Sequence, residues 1–285
     1  WQDQSLELRA MKRYTLLLAA LCVALLTTGC LKTFTTITVH RDGSATIVDT
    51  TLFAPRFLAM MKSMSNMSMD DSTKPKDPEF WNDSIVNADA LSYGPSVTVD
   101  SWKEVNLGAM VGYTATFETD DVNDLQFSLK KDAKKMKQSD DIDQDDDMAG
   151  PMTFAYNDGT LTITNPQPEK KAGDDAEPAE EKTEQEIRES LDMMSGFMRG
   201  IEFNIRVKPD GRIEDTDAMF RKGNVVTLIH MDFDKIIDHW QTDIESFKTF
   251  DSIQNGDTEA LKGMMAEFPE GAIEVEVQPQ IYISF

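Results

Sequence analysis

Cysteine is nearly absent from this chain. There are 2 in 285 residues, Cys22 and Cys30, and no thiol follows position 30. That excludes an internal disulfide and a thiolate metal site from everything downstream. Without such staples the fold must hold together through its core. Positive charge is scarce too: 28 Lys and Arg face 51 Asp and Glu, a formal charge of −23. A surface of that sign repels phosphate backbones and anionic head groups, so no nucleic acid partner is expected. Histidine occurs only at positions 40, 230 and 239. No Gly-rich phosphate loop, Gly-x-Ser-x-Gly elbow or His-Glu-x-x-His pair occurs. The expectation is therefore a protein that is not an enzyme and uses no cofactor. Long apolar runs are missing as well. The stretch Tyr14 to Leu26 has about 13 residues, short of the about 20 that a membrane-spanning helix needs.

That short run has its own meaning. Met11 is followed by Lys12 and Arg13, then by the apolar stretch, then by Thr27-Thr28-Gly29-Cys30. A charged start, a short apolar core and small residues before a cleavage point describe a secretory signal. The junction resembles the lipobox of bacterial lipoproteins, with Gly29 and Cys30 matching, Thr28 as the small residue and Thr27 where Leu is usual. The resemblance implies cleavage between Gly29 and Cys30 and acylation of Cys30, palmitate included. Each buried CH2 contributes about 0.8 kcal/mol, so two or more chains hold a protein firmly on a membrane. Leu31, rather than Asp, follows the Cys, which in such proteins implies export to the outer membrane, facing the periplasm. Residues 1–10 precede the expected initiator and stand outside the fold reading. Processing removes Arg9, Lys12 and Arg13 with Asp3 and Glu7, so the acid surplus remains.

Downstream, residues 33–40 are rich in β-branched side chains and predict a strand. Asp42-Gly43 predicts a turn, and Ala45 to Phe53 the returning strand. Phe57, Met60, Met61 and Met64 share one helical face. Asp77-Pro78 opens a second helix, with Phe80, Trp81, Ile85 and Leu91 apolar. Ser96–Val105 and Gly108–Thr119 predict adjacent antiparallel strands, with Tyr113, Ala115 and Phe117 inward. Phe127–Leu129 suggests a short strand, and Met152–Asn165 a hairpin around Asn157-Asp158-Gly159. Residues 165–182 have almost no apolar side chain and read as a disordered acidic linker. Thr183 and Glu186 form a capping box before a helix carrying Ile187, Leu191, Met194 and Met198. Strands are expected at Ile201–Lys208 and Asn224–Met231, one helix over Lys235–Phe250, and a short helix capped by Asp257. A final strand runs from Ala272 to Phe285, with Glu274, Glu276 and Gln278 facing water. The organisation is a signal segment at 1–29, then one α+β domain with an N-terminal part at 30–164 and a C-terminal part at 183–285. Mixed runs of hairpins and helices predict a largely antiparallel sheet with helices packed on one face.

Four patterns invite a functional reading. Met60, Met61, Met64, Met67 and Met69 are thioethers within ten residues, and soft sulfur selects Cu(I). The bland account is that Met60, Met61 and Met64 fill a helix's core face. Asp140 to Asp147 suggests calcium, but an EF-hand loop from Asp141 would need Gly where Asp146 stands and Glu where Met152 stands. His230, Asp232 and Asp234 alternate and could form a ligand or acid–base set, whereas Asp232 or Asp234 equally suits a helix cap. The terminal alternation Val277, Ile281, Ile283, Phe285 resembles the insertion signal of outer-membrane barrels, but a barrel needs many such strands.

The order of elements has one further likeness. A Cys-anchored strand, the Asp42-Gly43-Ser44 turn and its returning strand are followed by helices. The pairs Val97–Val105 and Met110–Glu118 come next, then a late strand with Pro209-Asp210-Gly211. This order resembles the LppM-type lipoprotein domains, which implies an α+β exported domain without an enzymatic motif. The expectation is a membrane-anchored envelope lipoprotein with a non-enzymatic binding or scaffolding domain. Its partners would be the membrane, through the lipid anchor, and an envelope protein or lipid. The other readings are a carrier of an apolar ligand such as lipid, marked by an apolar cavity between sheet and helices, and a Met-rich Cu(I)-binding protein.

Overall fold

The first hairpin sets the frame. β1 (Leu31–Val39) and β2 (Ala45–Phe53) pair antiparallel from Leu31↔Phe53 to Val39↔Ala45. Their turn closes because Gly43 takes φ 88° and the Asp42 carboxylate accepts from the Ser44 amide at 3.0 Å and its hydroxyl at 2.7 Å. Those two donors hold the Asp42 pKa below the ordinary carboxylate range. The coordinates are a computed structural model describing residues 31–68, 80–127, 150–166, 183–252 and 258–285.

The remaining elements follow in order. They are α1 (Pro55–Ser68), α2 (Asp83–Tyr93), β3 (Thr98–Leu107), β4 (Met110–Thr119), β5 (Gln126–Phe127), β6 (Met152–Asn157) and β7 (Thr160–Thr164). After position 182 come α3 (Glu184–Met198), β8 (Ile201–Pro209), β9 (Asp215–Thr216), β10 (Arg221–Lys222) and β11 (Val225–Asp232). The chain ends with α4 (Phe233–Thr242), α5 (Ile244–Ser252), α6 (Thr258–Glu267), β12 (Ile273–Val275) and β13 (Gln280–Ser284).

The architecture is α+β, as the sequence predicts, but the strands divide between two sheets. One runs β10-β11-β8-β1-β2-β4-β3, with β12 beside β11; the other runs β5-β6-β7-β13-β9. Among the described residues every strand pairing is antiparallel except β1 with β8, which run parallel in register from Leu31↔Ile201 to Val39↔Pro209. Both sheets therefore take strands from before and after positions 167–182.

The inward face of the larger sheet is covered twice. Toward the end of β1, Ile37, Val39, Ile47 and Phe117 pack with Phe154, Leu161, Ile163, Ile281 and Ile283 of the smaller sheet. Toward its start, Leu31, Phe53 and Ile201 pack under Ile187 and Leu191 of α3 and Ile236, Ile237, Trp240, Phe247 and Met264 of α4 to α6. At Gly112 the neighbouring strand comes so close that a Cβ would lie 1.9 Å from the Thr51 carbonyl oxygen; only glycine fits there.

Four expectations need correction. The helix over Lys235–Phe250 is two helices, broken at Asp243. The Asp243 carboxylate accepts from the amides of Glu245 at 3.2 Å and Ser246 at 3.3 Å, so it starts α5 instead of continuing α4. The strand over Ala272–Phe285 is β12 and β13, one in each sheet, parted at Pro279. Glu276 consequently faces inward, not toward water. Its carboxylate accepts from the Met219 amide at 2.7 Å and the Gln278 amide at 3.0 Å. The second helix starts after Asn82, which caps Ile85 at 3.0 Å, and its apolar contacts are Val86, Ala90 and Tyr93, leaving Leu91 exposed. Asn165 belongs to the fold: it is buried, and its Nδ2 donates to the carbonyls of Glu276 at 3.1 Å and Gln278 at 2.7 Å. Positions 167–182 and Asp257 lie outside the described residues. The Thr183–Glu186 capping box is formed as expected.

Candidate functional site

The larger sheet has a defined starting edge. The register places Asn106, Val111, Phe53, Leu31 and Ile201 in one row across β3, β4, β2, β1 and β8. Leu31 is 2% exposed and bonded on both sides. Gly29 and Cys30, the expected cleavage and acylation residues, lie outside the described residues, but Cys30 is covalently next to Leu31.

Between the two cores runs a polar seam that sequence reasoning missed. Thr33, Thr35, Asp49 and Thr51 are inward and buried. Asp49 accepts from Thr35 Oγ1 at 3.2 Å and from the Tyr93 hydroxyl at 2.9 Å. The Tyr113 hydroxyl donates to Asp89, also buried. Buried carboxylates persist where such donors replace water. Thr51 Oγ1 has no hydrogen-bond partner among the described residues. The signal was visible: Asp49 occupies an inward position of the alternating run Ala45, Ile47, Asp49, Thr51, Phe53.

The histidines have structural contacts. His230 Nδ1 lies 3.0 Å from Asn204 Nδ2 and Nε2 lies 3.0 Å from the Gly271 carbonyl, which fixes the Nε2–H tautomer. Asp232 caps α4 through the Lys235 amide at 3.3 Å. Asp234 accepts from the Gly200 amide at 3.0 Å and faces Arg199 at 3.7 Å. The set thus holds backbone groups of Gly271, Lys235 and Gly200, with Lys235 Nζ also on the Gly271 carbonyl and 3.7 Å from Asp232, and its cap reading matches the structure. His40 bridges Asp210 at 3.2 Å and Thr46 at 3.0 Å. His239 packs its ring on Phe268, with centroids 4.6 Å apart. It lines an open groove of about 610 Å³ with Lys235, Asp238, Glu267 and Glu270. Phe268 and Pro269 complete a mixed lining that is open to solvent, whereas a lipid carrier requires an enclosed apolar cavity.

Met60, Met61, Met64 and Met67 all fall on α1, with Met61 half-buried. Met69 and the acidic run Asp140 to Asp147 lie outside the described residues. Among the described residues no group of three or more His, Cys, Asp or Glu is placed to hold a metal. Among them, too, no helix is long and apolar enough to cross a membrane.

No family model and no curated protein matches the sequence. Among solved structures, the NMR structure of the folded domain of Mycobacterium tuberculosis LppM is similar at 9% identity. The match covers 70% of this chain and 82% of that one with a TM-score of 0.30.

Proposed function

We propose that this chain is a cell-envelope lipoprotein, held on the membrane by acylated Cys30, whose exported domain binds or scaffolds other envelope components without catalysing a reaction. The observation that carries the reading is the junction Thr28-Gly29-Cys30 after a short apolar run headed by Lys12 and Arg13. A second observation fits it. Leu31 is already part of a central strand, so an acyl group on Cys30 would join the fold without a spacer. The non-enzymatic part draws support from the bonding of His230, Asp232 and Asp234 to backbone groups of Gly271, Lys235 and Gly200.

Membrane fractionation of cells carrying Cys30→Ser tests the anchor. The substituted protein is expected to leave the membrane fraction or to accumulate as an unprocessed precursor. A processed, membrane-bound Cys30→Ser protein would refute the reading. Density-gradient separation of the two membranes addresses the finer expectation, from Leu31, of the outer one.

A further inference from the structure

Among the described residues, large apolar side chains exposed by about two thirds are few. They are Leu91 at 65%, Leu107 and Phe197 at 67% each, and Met193 at 68%. Three of these four belong to the edge where β1 begins. Leu107 stands one residue beyond Asn106 at the tip of the β3–β4 hairpin, and Asn106 shares the row of Leu31. Three strand spacings of about 4.8 Å put that tip about 14 Å across from Leu31. Phe197 precedes Ile201, the parallel neighbour of Leu31, by four residues, hence by at most about 14 Å. Met193 is one helical turn earlier on the same exposed side of α3.

Charge is depleted at the same places. Asn106-Leu107-Gly108-Ala109-Met110-Val111-Gly112 has no ionisable residue, nor has Met193-Met194-Ser195-Gly196-Phe197-Met198, in a chain that is 28% charged. Neutral, apolar tips on an otherwise anionic body fit hydrocarbon better than water or a basic protein face. The chain preceding the described fold also ends here, since Cys30 is bonded to Leu31.

We infer that Leu107, Met193 and Phe197 form a bilayer-facing rim that seats in the lipid surface beside the anchor and fixes the orientation of the domain. The inference rests on the anchor reading above. With an acyl group on Cys30, the hairpin tip lies within about 20 Å of the anchor and Phe197 within about 25 Å. Side chains of this size reach the boundary between head groups and acyl chains, where amphipathic surfaces bury about 5–10 Å deep.

The test uses the full processed protein in phosphatidylcholine vesicles. Its remaining thiol is the acylated one, so single cysteines can be labelled with a nitroxide at Leu107→Cys, Phe197→Cys and Leu91→Cys. Leu91 is the control. It lies on α2 near Tyr93, which packs on Phe117 and Phe127 toward the far half of the sheet. Oxygen, which concentrates in hydrocarbon, and a polar nickel chelate, which is excluded from it, report the depth of each label. Labels at 107 and 197 are expected to relax several-fold more with oxygen than with nickel, and the label at 91 the reverse. Vesicles that float with bound protein while all three labels respond like the control overturn the rim and leave the anchor standing. Protein that no longer floats with the vesicles overturns the anchor and the rim together.

Discussion

Two threonines on adjacent strands make opposite demands on the same substitution. Thr35 Oγ1 donates to the buried Asp49 carboxylate at 3.2 Å. Thr51, two positions along β2 from Asp49, is fully buried and its hydroxyl has no partner among the described residues. Valine keeps the volume, the β-branch and the strand preference of threonine, so only the hydroxyl is tested. At Thr35 the change removes a donor from a buried charged acceptor and should cost about 1–3 kcal/mol. At Thr51 it removes a desolvated hydroxyl that gains nothing in return and should stabilise by about 1–2 kcal/mol. For a chain of this size 1 kcal/mol moves the melting temperature by about 2–4 °C. The assay is equilibrium urea unfolding of both variants beside the parent, with thermal melts as a second probe. A lower midpoint for Thr51→Val, by more than about 1 kcal/mol, would show that the hydroxyl has a partner and that the seam has been misread.

Removing Ile281 to Phe285 deletes three buried side chains from between β7 and β9, each contributing about 1.5–3 kcal/mol, so the chain should aggregate or be degraded. A truncated protein with an unchanged melt would exclude β13 from the core. Thr183→Ala removes one half of the capping box and should lower stability by about 1 kcal/mol in the same unfolding assay. The Tyr282 hydroxyl donates to Asp215 at 3.1 Å, and that bond, with the nearby charges, raises its pKa above the ordinary phenol value. Its folded state therefore binds the proton more tightly, so the contribution is present below the ordinary value and lost as pH rises through the raised one. Ultraviolet titration should show Asp215→Asn bringing that ionisation to lower pH; no movement would mean that the bond does not form.

The hairpins and the inward faces were legible because each depends on short-range chemistry. Asp42-Gly43 and Asp158-Gly159 place glycine where φ is positive, and strand alternation separates Tyr113, Ala115 and Phe117 from their neighbours. What the pattern could not carry was the division into two sheets. Alternation over Ala272–Phe285 is compatible with one strand, and only Pro279 and the inward carboxylate of Glu276 mark the crossing. Asp243 was hidden for a similar reason. The apolar stripe Trp240, Ile244, Phe247 continues through the break, while the side-chain competition that ends the helix is a single residue's contribution. The seam at Asp49 needed its partners Tyr93 and Thr35, which are 44 and 14 residues away. The proposed lipid junction is a reading of the sequence alone, since Gly29 and Cys30 lie outside the described residues.

An anchor at Cys30 would also determine what the domain presents to the envelope space. β1 leads away from Leu31 for 9 residues, about 26 Å at the usual strand rise. At its far end the chain gathers its turns. The Asp210 amide donates to the Val39 carbonyl at 2.7 Å, the Tyr156 hydroxyl to the Arg41 carbonyl at 3.2 Å, and the Phe285 amide to the Gly159 carbonyl at 2.9 Å. Tyr156 and Phe285 stack there with centroids 5.5 Å apart. These bonds join the first hairpin, the second sheet and the C-terminal residue into one surface. Its turns carry charge of both signs, with Arg41 and Arg212 beside Asp42, Asp158 and Asp210, whereas the hairpin tip at the near end, Leu107 to Met110, carries none. One sheet thus separates an uncharged hairpin tip from a group of charged turns, and the strand that sets the distance is the one that follows Cys30.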